Sequence, residues 1–248
     1  DLTRPYTIAY QTIDAVENIF VYIETDGGGY GIGSGSPADF ITGESMDDAD
    51  AILSEKLETL LMGRDIRQLN QICRALQKEL LTTPAARMAV DIALYDAFCK
   101  HLDIPIVQYL GQFHEAIPTS KTIGIKDTIE ETLSEADEHM STGFKIIKLK
   151  IGKEVEKDIE FTAKLRERLG PDIGIRVDAN QGYSVADLIT YEENTRKYNI
   201  ELIEQPLHKN RVAEMLEAPE DVRKICAADE NLHTPWDALD LAHLPQLF

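Results

Sequence analysis

Hydrophobic and polar residues alternate in short segments along the second half of the chain, and longer amphipathic stretches separate these segments. Alternation over a short segment predicts a β-strand, whereas apolar residues repeating every three or four positions predict a helix. From about residue 117 onward the pattern predicts five βα units. The predicted strands are Thr119–Ile125, Lys145–Ile151 and the segments ending at Asp178, Glu204 and Asp229; the predicted helices are Ile129–Met140, Glu154–Leu169, Val185–Tyr198, Ala213–Val222 and one beginning at Trp236.

Residues 1–115 follow a different order, with strands first and helices after them. Two apolar segments joined by the turn Asp26–Gly29 predict a β-hairpin. Glycines alternate along its second strand, but no helix and no Lys-Ser or Lys-Thr pair follows them, so they do not predict a phosphate-binding loop. Strands followed by helices predict an α+β domain. The predicted helices are Asp47–Leu61, Ile66–Leu81 and Pro84–His101, and a short connector follows over Ile104–Gly111.

Charged residues end four successive predicted strands in the second half. Lys150, Asp178, Glu204 and Asp229 are separated by 28, 26 and 25 residues, about the length that a strand, a helix and two loops need in a parallel crossover. In a (β/α)8 barrel the strands deliver their carboxyl ends to one mouth, where the chemistry takes place. We therefore expect an α/β barrel over residues 116–248 whose mouth carries these four groups.

The ends of the sequence bear on this expectation. Five βα units do not close a barrel of eight, the first residue is Asp1, and the last two residues are apolar, Leu247 and Phe248. We therefore expect the sequence to be incomplete at both ends.

Composition excludes several classes of function. The 248 residues carry a net charge of −19, which argues against binding to nucleic acid or to an anionic membrane, because both need clustered lysine and arginine. No apolar segment reaches the length of a membrane span, and no signal-peptide pattern is present. The three cysteines form no CxxC pair, which is typical of reduced thiols in a cytoplasmic protein.

Three acids at one barrel mouth would be unstable without a cation. Asp178, Glu204 and Asp229 would repel each other and raise each other's pKa, and a divalent ion removes that conflict. Oxygen ligands without histidine or cysteine favour Mg²⁺, with Mn²⁺ as the alternative. The competing interpretation is that each acid caps the helix that follows it.

Two lysines accompany the acids. Lys148 and Lys150 lie two positions apart and therefore point to the same face of their strand, where mutual repulsion lowers the affinity of each for its proton. Alone, they are equally typical of a solvent-exposed strand. Beside a divalent ion, they suit the removal of a proton from the carbon next to a carboxylate, because the ion stabilises the ene-diolate that forms.

Four motifs together resemble the muconate-lactonizing branch of the enolase superfamily: Lys148-x-Lys150, Asp178-Ala179-Asn180, Glu204-Gln205-Pro206 and Ala228-Asp229-Glu230. The resemblance covers residues 119–242 and implies an α+β capping domain (1–115) followed by a modified, TIM-like (β/α)7β barrel (116–248). Within that branch the resemblance is to dipeptide epimerases, which invert the C-terminal residue of L,L-dipeptides. The segments that carry it are Arg4–Tyr10, Thr42–Ser45 and Thr119–Ile125.

The resemblance implies a role for each candidate residue. The metal ligands would be Asp178, Glu204 and Asp229. Lys150 would be the acid and base on one face of the substrate α-carbon, and Lys148 would touch the substrate carboxylate and lower the proton affinity of Lys150. Thr122 would contact substrate, and Asn180 and Glu230 would support the ligands by hydrogen bonds. We accordingly expect a cytoplasmic, homo-oligomeric isomerase that binds Mg²⁺ and acts on a small-molecule dipeptide.

The sequence also departs from the family pattern. The family places a second lysine on the sixth strand and an Asp-x-Asp motif on the eighth, and neither occurs in these residues. Epimerases of Ala-Glu have an arginine near the position of Gln11, which forms no ion pair with a glutamate side chain, so apolar and cationic dipeptides stay open. The alternatives are an o-succinylbenzoate synthase, an N-acylamino acid racemase or a cycloisomerase with the same site, or a metal-binding homologue without activity.

Overall fold

The computed structural model describes residues 1–244 and 248, and the chain forms two compact units. One unit comprises Ala15–Ala116, and the other comprises Asp1–Asp14 together with Ile117–Phe248. The division into a capping domain and a barrel domain at residue 115 stays a prediction.

The strands and helices follow the order that the sequence predicts. In chain order the strands are β1 (Tyr6–Thr7), β2 (Thr12–Ile13), β3 (Ile19–Glu24), β4 (Tyr30–Gly35), β5 (Lys121–Ile123), β6 (Ile146–Lys150), β7 (Gly174–Asp178), β8 (Ile200–Glu204) and β9 (Cys226–Ala227). The α-helices are α1 (Met46–Leu61), α2 (Leu69–Glu79), α3 (Pro84–His101), α4 (Ile106–Leu110), α5 (Ile129–Ser141), α6 (Val155–Leu169), α7 (Val185–Thr195), α8 (Glu220–Arg223) and α9 (Pro235–Ala242). Short 3-10 helices cover Ile66–Gln68, Arg196–Tyr198 and Lys209–Glu217. Among the described residues, no helix has both the length and the apolar character that crossing a membrane requires.

Some predicted elements differ from the observed ones at their ends. The predicted connector Ile104–Gly111 contains the short helix α4, and the predicted strand ending at Asp229 stops at Ala227. The second difference has a local cause, because the backbone N–H of Asp229 donates to the side-chain oxygen of Gln205 at 2.9 Å. The predicted helices that are partly 3-10 in the structure are Ile66–Leu81, Val185–Tyr198 and Ala213–Val222.

In the unit of residues 15–116, alternating glycines bring a strand and a helix into backbone contact. β3 and β4 form the predicted antiparallel hairpin, and Gly31, Gly33 and Gly35 of β4 face α3. A Cβ atom on Gly33 would lie 2.0 Å from the carbonyl oxygen of Ala89. The glycines that superficially resemble a phosphate loop therefore allow α3 to pack directly on β4.

We expect Gly33→Ala to destabilise the protein by about 3 kcal/mol, because the new methyl group meets helix backbone that must move. The measurement is the free energy of unfolding in urea. Gly27→Ala is the matched control, since a Cβ atom there meets nothing within 4 Å. A loss at Gly33 no larger than that at Gly27 would contradict this account of the packing.

In the other unit, β5 to β9 form a five-stranded parallel sheet in sequence order. The register places Lys150 beside Asp178, Asp178 beside Glu204, and Glu204 beside Ala227. Residues in register on adjacent strands point to the same face of a sheet. One amine and two acids therefore stand in a row at the carboxyl edge.

The opposite face of the sheet forms the core of this unit. Its central apolar side chains are at most 2% exposed, and burying each one contributes roughly 1.5–3 kcal/mol. Ile147 and Leu149 of β6 lie in this core, so the residues that alternate with them, Lys148 and Lys150, point to the other face. The central core side chains are Ile147, Leu149, Ile175, Val177 and Ile203.

Helix caps keep the loops at the carboxyl edge short. α5 and α7 each begin with a capping box, formed by Thr128 with Glu131 and by Ser184 with Asp187. In each box the hydroxyl accepts from a backbone N–H of the first turn, while the acid accepts from the N–H of the cap residue. These bonds define where each helix starts after its strand.

Candidate active site

Two lysines of β6 reach carboxylates of the neighbouring strands. The Nζ atom of Lys148 lies 2.6 Å from Oε1 of Glu204 and 2.8 Å from Oδ2 of Asp178. The Nζ atom of Lys150 lies 2.7 Å from the same Asp178 oxygen and 2.8 Å from Oδ1 of Asn180. Both side chains are largely buried, so their amines are held in place rather than free in solvent.

The three predicted metal ligands converge. Asp178, Glu204 and Asp229 each offer one carboxylate oxygen, and these oxygens lie within 4.8 Å of one another. Asp178 is fully buried, Glu204 is half-buried and Asp229 is exposed. The convergence predicted from the strand spacing is therefore confirmed. The role of the three acids as metal ligands stays a prediction.

The chemistry of this cluster fits a divalent cation. At 4.8 Å, two unit charges near a protein surface repel by about 3.5 kcal/mol, so each pair among Asp178, Glu204 and Asp229 opposes the folded state. The ammonium of Lys148 offsets part of this by bridging Asp178 and Glu204. All three donors are oxygen atoms, which is the ligand type that Mg²⁺ and Mn²⁺ prefer.

The electrostatics of the site follow from these contacts. Burial lowers the pKa of Lys148, but the carboxylates of Asp178 and Glu204 outweigh burial, and the pKa is raised. The net pKa of Lys148 is thus set by the two carboxylates, and the predicted effect of the lysines on each other's proton affinity stays a prediction. Burial also raises the pKa of Asp178, but the ammonium groups of Lys150 and Lys148 outweigh it, and that pKa is lowered. The pKa of Glu204 is raised by burial and by the charge of Asp178.

Asn180 and Glu230 lie where they can support the site. The Asn180 side chain accepts from Lys150 and donates to Oε1 of Glu230 at 3.4 Å, and its backbone N–H donates to Asp178 at 2.9 Å. Asn180 has φ +41°, a left-handed conformation that asparagine tolerates better than most residues. Oε2 of Glu230 is buried and has no hydrogen-bond partner among the described residues. The supporting role of both residues stays a prediction.

Thr122 is an exposed residue at the middle of β5, in register with Lys148. With Lys150 and Tyr6 it lines a cavity of about 470 Å³. This position lets the hydroxyl reach a molecule bound beside Lys150, and the contact with substrate stays a prediction.

The carboxylate of Asp158 in α6 is buried and has no role predicted from the sequence. It accepts hydrogen bonds from the backbone N–H of Gly152 at 2.9 Å and from the hydroxyl of Tyr183 at 2.8 Å. Gly152 follows the strand of Lys150, and Tyr183 follows the strand of Asp178, so one acid ties both loops together. Burial raises the pKa of Asp158. In the sequence this residue looks like an ordinary first-turn acid, and no spacing signal reveals its partners.

The sequence matches two family models. Residues 1–111 match the N-terminal domain of mandelate racemase / muconate lactonizing enzymes, and residues 131–246 match a model described as enolase C-terminal domain-like. The two matches together span most of the chain.

Several proteins of known activity are similar in sequence and structure. An L-Lys-D/L-Arg epimerase from Desulforapulum autotrophicum is 47% identical over 247 residues, covering 100% of this chain and 69% of that protein. A dipeptide epimerase from Methylococcus capsulatus, solved with Mg and the dipeptide L-Arg-D-Lys, is 41% identical with a TM-score of 0.95, covering 99% of this chain and 69% of the solved chain. A substrate-liganded L-Ala-D/L-Glu epimerase from Bacillus subtilis is 30% identical with a TM-score of 0.91, covering 99% and 69%. All three relatives are isomerases by name.

Proposed function

Because the chain belongs to the mandelate racemase / muconate lactonizing enzyme family of the enolase superfamily, we propose that it is a Mg²⁺-dependent epimerase of dipeptides. One observation carries the proposal: the carboxyl ends of β6, β7 and β8 and the loop after β9 bring two amines and three carboxylates together. Carboxylates alone serve many metal sites. An amine beside them adds a group that takes a proton from the carbon next to a carboxylate.

Lys150 is the acid and base in this proposal. Its Nζ atom is aimed by Asp178 and Asn180, at 2.7 and 2.8 Å. As a neutral amine it accepts the α-proton of the C-terminal residue on one face and becomes an ammonium, while the electron pair of the C–H bond moves toward the substrate carboxylate. Inversion also requires a proton donor on the opposite face, and that group stays a prediction.

Lys148 and Thr122 bind the substrate. An ammonium has three donors, and contacts with Asp178 and Glu204 account for two of those of Lys148. The third is available to the substrate carboxylate. The Thr122 hydroxyl lies on the neighbouring strand and contacts the same molecule.

Asp178, Glu204 and Asp229 hold Mg²⁺. When bound, the ion stabilises the negative charge that develops on the substrate carboxylate as the α-proton leaves. Asn180 orients Asp178 through its backbone N–H, and Glu230 in turn holds Asn180.

Cationic dipeptides are the substrate class that we favour. Two relatives at 47% and 42% identity are L-Lys-D/L-Arg epimerases. The chain carries a net charge of −19, which attracts cationic molecules. Gln11 is uncharged and forms no ion pair with a glutamate side chain; its Nε2 atom is buried and has no partner among the described residues.

We expect the protein with Mg²⁺ to incorporate deuterium from D₂O at the α-carbon of the C-terminal residue of L-Lys-L-Arg. Exchange of L-Ala-L-Glu is expected to be at least about tenfold slower in kcat/KM, because the net charge of −19 disfavours an anionic side chain and Gln11 forms no ion pair with it. Proton NMR follows the loss of the α-proton signal, and mass spectrometry locates the deuterium.

The same assay separates the alternatives. Exchange of N-succinyl amino acids but of no dipeptide would place the protein with the N-acylamino acid racemases, and dehydration of the cyclohexadiene substrate would place it with the o-succinylbenzoate synthases. Mg²⁺ binding without exchange of any of these compounds would favour a metal-binding protein without activity.

A further inference from the structure

Gln205 occupies the position directly after Glu204 and is almost completely buried, with 1% of its surface exposed. Its φ of +34° lies in the left-handed region, which costs a residue with a side chain on the order of 1–3 kcal/mol. Such a conformation persists only where the surroundings hold it. Here the backbone N–H donates to Ala227 and the backbone oxygen accepts from Gln181, both at 2.8 Å.

The side-chain amide of Gln205 uses its full hydrogen-bonding capacity. Oε1 accepts from the backbone N–H groups of Asp229 at 2.9 Å and Asn231 at 3.1 Å. Nε2 donates to the carbonyl oxygen of Leu207 at 2.9 Å and to Oδ1 of Asn231 at 2.6 Å. An amide offers two donors and two acceptor lone pairs, so both ends are satisfied.

Beyond the end of β9, the side-chain bonds of Gln205 replace the backbone bonds of the sheet. β9 ends at Ala227, so Asp229 is not held by the strand ladder. Its backbone N–H is instead held by Gln205, whose own backbone continues directly from Glu204. Gln205 therefore links two of the proposed metal ligands: it follows Glu204 in the chain, and its side chain binds the backbone N–H of Asp229.

We propose that Gln205 is a positioning residue that fixes Asp229 relative to Glu204 and thereby sets the affinity of the site for Mg²⁺. The inference rests on the proposed function, because it takes the three acids as the metal ligands. We assign Gln205 no contact with the ion or the reacting atoms, because the four bonds of its side-chain amide go to Leu207, Asp229 and Asn231. It acts through the backbone N–H of Asp229, a residue that is exposed and lies beyond the last pair of the β8–β9 ladder; the backbone oxygen of Asp229 accepts from the N–H of Leu232 at 2.8 Å.

The affinity for Mg²⁺ depends strongly on the positions of the ligands. The ion demands nearly ideal octahedral geometry with ligands at about 2.0–2.1 Å, so a small displacement of one carboxylate weakens binding. Residues that orient ligands by hydrogen bonds change metal affinity by about 10–100-fold when they are replaced.

We expect Gln205→Met to weaken Mg²⁺ binding by about 10–100-fold, because methionine has a similar length and forms none of the four bonds. Isothermal titration measures the Mg²⁺ affinity of the full chain, and the paramagnetic signal of Mn²⁺ provides an independent value. At saturating Mg²⁺ the exchange rate should return to within about tenfold of wild type, because Lys150 is unchanged.

Gln181→Met is the matched control. Gln181 also has a left-handed backbone at φ +69°, and it lies in the loop after β7, where its backbone N–H donates to Gln205. In the bonds described for it, its side chain accepts only from the backbone N–H of Lys209, at 3.0 Å. We expect this variant to bind Mg²⁺ within about twofold of wild type. Equal weakening by both variants would show a general effect of altering the loops after β7 and β8 and would overturn the assignment to Gln205.

A second measurement does not depend on the metal. The backbone amide of Asp229 should be protected from hydrogen exchange in wild type and lose at least about tenfold of that protection in Gln205→Met, because its acceptor is removed. Thermal unfolding shows whether the variant folds. If it does not, Asn231→Ala tests the same connection more mildly, since it removes one acceptor of the Gln205 amide.

The outcomes distinguish this inference from the proposed function. Unchanged Mg²⁺ affinity in folded Gln205→Met, with wild type binding the ion, would overturn the role of Gln205 and leave the epimerase proposal standing. Failure of wild type to bind Mg²⁺ would contradict the proposed function and the metal role of Gln205 together, whereas the hydrogen-exchange result would still decide whether Gln205 holds Asp229. Weakened binding together with lost protection of Asp229 would support the inference.

Discussion

Replacing Lys150 with methionine is expected to slow α-proton exchange by about 10²–10⁴-fold, which is the range that a positioned acid or base contributes. The Nζ atom is the group that Asp178 and Asn180 hold at 2.7 and 2.8 Å, and methionine offers no proton acceptor of comparable basicity. Mg²⁺ affinity should be unchanged or higher, because one positive charge beside the ligands is lost. Exchange in D₂O and titration with Mg²⁺ measure the two effects separately.

The fold should tolerate this substitution. Removing one partner of a buried ion pair costs 3–5 kcal/mol when the other charge is left alone, but Asp178 keeps the ammonium of Lys148 at 2.8 Å. Lys153→Met is the matched control, because it removes the same charge from an exposed position just after the same strand. Exchange by Lys150→Met at the rate of Lys153→Met would exclude Lys150 as the base.

The site illustrates what a sequence reveals about a parallel sheet. The fold class and the ends of β6, β7 and β8 could be predicted because alternation marks each strand and a charged residue closes it, whereas the family was predicted from the resemblance that four motifs carry. Regular spacing of about 25–28 residues then implies parallel neighbours. The register observed between Lys150, Asp178 and Glu204 is the consequence of that regularity.

Contacts between distant segments could not be predicted in the same way. The sequence presents Lys148 next to another lysine, which predicts a lowered pKa, but the charges that decide the pKa come from Asp178 and Glu204 on other strands. The amide of Gln205 ends β9 early by taking the N–H of Asp229. A single side chain bonded to a loop has no periodic signal, so only the three-dimensional structure reveals it.

The close packing of β4 on α3 shows the same limit in the other unit. Glycines that alternate along a strand are consistent with flexibility, with a ligand loop or with tight packing, and the sequence does not separate these. A Cβ atom added to Gly33 would lie 2.0 Å from the carbonyl oxygen of Ala89, which shows that these glycines serve tight packing. The sequence does not reveal that α3 is the helix that lies against β4, and this contact determines the need for glycine.

Replacing Asp178 with asparagine is expected to weaken Mg²⁺ binding by more than about 100-fold, a larger loss than residues outside the ligand set cause. Asparagine keeps the shape of the side chain but removes the negative charge. The ammonium groups of Lys148 and Lys150, at 2.8 and 2.7 Å, then lose the carboxylate that they share. The remaining acids, Glu204 and Asp229, then offer a cation less total negative charge.

Thermal unfolding tests this loss without an activity assay. A ligand present at 100 times its Kd stabilises the folded state by about 2.7 kcal/mol, so Mg²⁺ should raise the Tm of wild type but leave that of Asp178→Asn unchanged at the same concentration. Asp172→Asn is the matched control, because it removes an exposed acid just before the same strand. Chelation of Mg²⁺ should abolish exchange in wild type, and added Mg²⁺ should restore it. Stabilisation of Asp178→Asn by Mg²⁺ to the wild-type extent would mean that the ion binds elsewhere, and Lys150 would then lack the neighbouring charge that its chemistry requires.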